Sequence, residues 1–147
     1  MFRARIAVLL AAFSCLAVPA TAHATSPASL MLKKVNSYRA KHGLKKVRFN
    51  RSLAHSAAAF SRYQMRHGRF GHASRIHASH HFHMLGEIIE IHRGGPGVRT
   101  AFKAWLHSPP HRSIIVNSRF KMAGAGYVTG RFHGHRCTIW TMHFGRR

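Results

Sequence analysis

Val98-Arg99-Thr100-Ala101-Phe102-Lys103-Ala104-Trp105-Leu106-His107-Ser108-Pro109-Pro110-His111-Arg112 passes from helix to turn within a few residues. Val98, Ala101, Phe102, Trp105 and Leu106 recur at a 3.6-residue period, which predicts a helix over 98–107. Ser108-Pro109-Pro110 ends it, because the residue before a proline is pushed out of the helical region. His111 to Ile115 then forms one further helical turn.

Upstream, Gly94-Gly95-Pro96-Gly97 breaks the chain, and Leu85 to Ile91 before it is β-branched and reads as a short strand. Residues 70–84 show no period and carry several histidines, so they read as a surface loop. Asn50 is a good N-cap for a helix with Leu53, Ala57, Phe60 and Gln64/Met65 on one face and Gly68 as its stop. Its run Ala57-Ala58-Ala59 favours helix and permits close packing. A first helix over 29–42 starts near Ser26-Pro27-Ala28-Ser29, buries Leu32, Val35 and the aliphatic stem of Arg39, and ends at Gly43. Downstream, Met122–Thr129 and Arg136–Phe144 read as a hairpin joined by residues 130–135. Helices first, strands interleaved and a closing hairpin make one α+β layered domain.

Four segments in this order resemble the CAP superfamily of cysteine-rich secretory proteins, antigen 5 and pathogenesis-related protein 1, in its bacterial SCP-like form. Val35-Asn36-Ser37-Tyr38-Arg39-Ala40-Lys41-His42-Gly43-Leu44 is similar to the family's opening helix, and Phe70-Gly71-His72 to its Phe-Ser-His. Gly86-Glu87-Ile88 stands for Gly-Glu-Asn, and Trp105 to Arg112 resembles Trp-x-x-Ser-Pro-Gly-His-Arg. Gly124-Ala125-Gly126-Tyr127 and Trp140-Thr141-Met142-His143-Phe144-Gly145 look like the final two strands. The resemblance, collinear over about 29–145, implies a single-domain α-β-α sandwich of three layers.

The N-terminus places Arg3 and Arg5 before an apolar run from Ile6 to Val18, the layout of a signal peptide over residues 1–24. Cleavage after Ala22 or after Ala24 fits equally. The run is shorter than the roughly 20 residues of a spanning helix, and Cys15 lies inside it rather than at a cut site, which argues against lipidation. The domain at 25–147 then keeps Cys137 alone, so no intrachain disulfide forms, and Cys137 reads as a small buried strand residue.

Of 24 Lys and Arg residues, 22 remain beyond the signal against two acids, a net charge of about +20. Such a chain is drawn to anionic polymers and surfaces. The retained acids are then informative. Glu87 occupies the family's glutamate position, whereas Glu90 reads as an offset to nearby basic charge. The resemblance sets His72 and His111 beside Glu87 in a cleft, with Ser108 where fuller members carry a second glutamate. Two imidazoles and a carboxylate with vacant positions admit Zn²⁺ or another divalent cation on His72, Glu87 and His111. A structural alternative is that Glu87 accepts hydrogen bonds from backbone or Arg112.

Ile88 and Ile114 replace two family asparagines, which predicts a drier cleft floor and a Glu87 with raised affinity for protons or cations. His77, His80, His81 and His83 read as a polar loop. The leading expectation is an exported, monomeric binding module at an anionic envelope or extracellular surface, its cleft taking a small ligand, a lipid or a divalent metal. The alternatives are a metal-assisted hydrolase using His72, Glu87 and His111, and a cationic antimicrobial or nucleic-acid-coating protein. Catalytic residues are not identifiable, and no motif for sequence-specific nucleic-acid binding is present.

Overall fold

The computed structural model describes residues 25–78 and 81–147. The signal-peptide reading of residues 1–24, with Cys15, lies outside the described residues, as does His80. In chain order the elements are α1 (Pro27–Lys41), β1 (Arg48–Phe49), α2 (Arg51–His67), β2 (Met84–Arg93), α3 (Val98–His107), α4 (Pro109–Ile115), β3 (Met122–Phe132) and β4 (His135–Arg146). The four strands form one sheet in the order β1-β3-β4-β2, with β1 parallel to β3 and the other pairs antiparallel.

The local signals act as expected at the helix ends. Ser26 Oγ accepts the Ser29 N–H at 3.2 Å and Asn50 Oδ1 accepts the Leu53 N–H at 3.1 Å, each satisfying a donor that the first helical turn leaves open. Gly68 ends α2 in the left-handed region, at φ 59°. The closing hairpin is tighter than its sequence suggests. Its strands run to Phe132 and from His135, joined by His133 and Gly134 with φ of 47° and 82°. Positive φ at both central residues is the turn whose twist matches the strands, so pairing extends to the tip.

Strand alternation divides the sheet into two unlike faces. On one, Ile88, Ala123, Ala125, Trp140, Met142 and Phe144 pack with Met31 and Val35 of α1, Ala101 and Trp105 of α3, and Ile115 of α4. Arg39 is 1% exposed and donates to the carbonyls of Lys45, Ile115, Asn117 and Phe120 at 3.1, 2.7, 3.0 and 3.5 Å. A buried guanidinium without a carboxylate is thus satisfied by backbone, and it ties α1 to the chain beyond α4. The expectation of an aliphatic stem on the apolar face captured only half of this role.

The other face carries α2 at close range. A Cβ on Gly124 would stand 2.1 Å from the Ala54 backbone nitrogen, and one on Gly126 2.2 Å from that of Ala58. Glycine on the strand and alanine on the helix are therefore matched. Ser61 Oγ donates to Thr141 Oγ1 at 2.9 Å beneath the helix. Phe60, expected in the core, is only half-buried, whereas Leu53, Ser56, Ala57, Ser61 and Gln64 are buried. Helices on both sides of a central sheet make the three-layer α+β sandwich in a single domain. Cys137 is buried in β4, and no described helix is long and apolar enough to cross a membrane.

Candidate functional site

Glu87 lies on the α2 face of β2, in register with His143 of β4 and next to the segment that follows α2. That segment brings His72 over the carboxylate. His72 Nδ1 and the Ala73 N–H both donate to Glu87 Oε1 at 2.9 Å, and His143 Nε2 donates to Oε2 at 2.9 Å. Burial pushes the Glu87 carboxyl up, but the hydrogen bonds from His143, Ala73 and His72 outweigh it, leaving its pKa below the ordinary carboxylate value. The carboxylate is held ionised. Arg112, the alternative donor from the sequence, is exposed and is not among these partners.

His111 reaches the same place from α4, its ring 5.8 Å from that of His72 and inclined at 57°. Burial, and to a lesser degree the nearby His72, lower the His111 pKa, which favours a neutral ring. Ser108 joins α3 to α4 three residues earlier; it is half-buried and its side chain caps neither helix. His72 therefore links Glu87 and His111 into one cluster, but the three do not form a three-ligand set. Both oxygens of Glu87 are engaged, one by a histidine the sequence reading did not assign. Among the described residues no group of three or more His, Cys, Asp or Glu side chains is placed to hold a metal ion. The expected divalent cation does not fit this arrangement.

The two isoleucines also act elsewhere. Ile88 follows Glu87 in a strand and so points to the opposite face, where it is fully buried in the main core, and Ile114 packs against the same cluster. Neither floors the cleft, and Glu87 has a lowered rather than a raised affinity for protons. Glu90, expected to offset nearby basic charge, does so from a buried position against His92. It is 9% exposed and pairs with His92 Nδ1 at 2.8 Å, while His92 Nε2 donates to the Gly95 carbonyl at 2.9 Å.

His143 is the site residue the sequence reading missed. It is 1% exposed and sits within a strand whose neighbours Met142 and Phe144 are core residues. The available signal was a titratable side chain at a period-2 position shared with Ile139, Thr141 and Gly145, inside the otherwise uncharged stretch from Cys137 to Gly145.

Comparison with known proteins identifies the family and the fold. A family model described as the cysteine-rich secretory protein family, CAP, matches residues 32–144. The uncharacterized protein YkwD of Bacillus subtilis (strain 168) is 31% identical over 135 residues, covering 84% of this chain and 50% of that protein. The chain thus spans about half the length of this curated relative. An extracellular SCP-domain protein from Bacillus anthracis str. Ames superposes with a TM-score of 0.66 at 22% identity, over 82% of this chain and 40% of that one. An outer surface protein from Borrelia burgdorferi superposes with a TM-score of 0.65 at 17% identity, over 80% and 90% of the two chains. At these identities the solved structures establish a shared fold.

Proposed function

The chain belongs to the cysteine-rich secretory protein family, CAP, and from that premise we propose that it works outside the cell as a binding module. Its cationic exterior holds it on an anionic envelope surface, and the cleft at His72, Glu87, Ser108 and His111 takes a small, lipid-like ligand. One observation carries the surface role: the chain has only two acidic side chains, and both are buried against histidines, at 8% and 9% exposure. No carboxylate side chain interrupts the basic exterior. Lys41, Lys45, Lys46 and Arg48, from the end of α1 to the start of β1, are all exposed on it.

The relatives described as extracellular and outer surface proteins agree with a location beyond the cytoplasmic membrane. Catalysis gains no support from the cleft, because Glu90 lies on the opposite face of β2 and supplies no second acid. The test is retention on purified cell envelopes across a salt series. Each exposed cation near an anionic surface contributes about 1 kcal/mol, and screening removes most of it at high salt. Retention should fall steeply with salt, weaken when Lys41, Lys45, Lys46 and Arg48 are changed together to Gln, and survive His72→Ala. Retention indifferent to both salt and these four substitutions would sink the proposal.

A further inference from the structure

Two of the Glu87 hydrogen-bond partners, Ala73 and His143, also line a separate space. A cavity of about 390 Å³ lies between α2 and residues 73–77, and neither His72, Ser108 nor His111 lines it. His143 does. Its Nε2 faces a carboxylate oxygen, which only accepts, so Nε2 carries the hydrogen. In the neutral ring Nδ1 then offers a lone pair, and this buried atom has no partner among the described residues. A buried acceptor left unpaired in a folded protein is rare and calls for a donor from outside the chain.

The remaining lining says what accompanies that donor. Ala59, Phe60 and Tyr63 of α2 give an apolar wall, with the Phe60 and Tyr63 rings 6.3 Å apart and inclined by 11°. Ser56 lies with His143 among the buried lining residues, whereas Arg75 and His77 are exposed at the rim, where Arg75 supplies positive charge. The volume falls within the roughly 300–1,000 Å³ range of small-molecule sites. Among the described residues no third metal-ligating side chain completes a cation site with His143, so an organic donor is the better match.

We propose that this cavity is a second ligand site, separate from the cleft, for a small hydroxy acid with an aryl or alkyl body. Its hydroxyl donates to His143 Nδ1, its hydrocarbon lies along Ala59 and Phe60, and its carboxylate meets Arg75. The site does not depend on envelope attachment.

Titration calorimetry with 4-hydroxyphenylacetate and phenylacetate tests it. The hydroxy acid should bind about 10-fold or more tighter, since only it satisfies the buried acceptor. His143→Gln keeps an amide N–H for Glu87 and replaces Nδ1 by a carbonyl oxygen at a different position, so it should weaken that preference. Ala59→Trp fills the cavity from the exposed side of α2, away from Glu87, and should abolish binding of both acids. His72→Ala should alter neither. Equal affinity for the two acids, no binding of either, binding that survives Ala59→Trp, or loss in His72→Ala would each overturn the proposal.

Discussion

Glu87 and Glu90 stand three residues apart on the same strand, yet they live in opposite environments. Glu87 has three donors and a lowered pKa; Glu90 has the single side-chain donor His92, and burial raises its pKa despite that bond. Both are nearly inaccessible, so exposure does not separate them. The difference is the count of donors, which strand alternation sets by turning one carboxylate toward His72 and His143 and the other toward the Gly94–Gly97 turn. Burial alone makes a carboxyl neutral; burial among N–H groups keeps it charged.

The largest perturbation of this contrast acts through α2. Gly124→Val drives a side chain into the Ala54 backbone, and overpacking of this kind costs about 3 kcal/mol; urea unfolding should show a lower midpoint, together with displacement of α2 from above His143. A midpoint unchanged from the parent would mean the close approach is not needed. Next comes Glu87→Gln, whose amide presents N–H to one of three donors and should lose about 2 kcal/mol in the same assay. Glu90→Gln keeps an acceptor for His92 and removes a carboxyl that burial disfavours, so a change within about 0.5 kcal/mol is expected. Similar losses for the two amides would erase the distinction.

Acid titration of stability sharpens the comparison with the smallest signal. Glu87 has a folded pKa below its unfolded value, so its contribution is present above the ordinary carboxylate range and is lost as pH falls through the folded value. Glu90 has the reverse shift. Its contribution is full below the ordinary range and is lost as pH rises through the raised value. Thermal scans should therefore show the deficit of Glu87→Gln shrinking toward acid, and Glu90→Gln gaining on the parent as pH rises above the carboxylate range. Parallel curves for the two variants would contradict the opposite shifts.

Much of the fold was legible because its signals are local. The cap at Asn50, the stop at Gly68 and the apolar stripe from Val98 to Leu106 each concern residues within a turn or two of one another, and the helices form where those signals stand. The hairpin ends were less legible, since residues 130–135 read as a loop until His133 and Gly134 adopt positive φ. The candidate site was legible in part. His72, Glu87, Ser108 and His111 were recognisable from collinear segments, whereas His143 sat in a stretch that read simply as strand.

Composition and period by themselves determined the strongly basic charge, the scarcity of acids, the positions of the longer helices and the layered α+β class. Only the tertiary structure decided what each acid does. Glu87 and His143 are 56 residues apart, and they meet because the β2–β4 register sets one opposite the other. A shift of one residue would turn every side chain of that strand to the other face, so the partner of a buried carboxylate is a property of register that no local pattern contains.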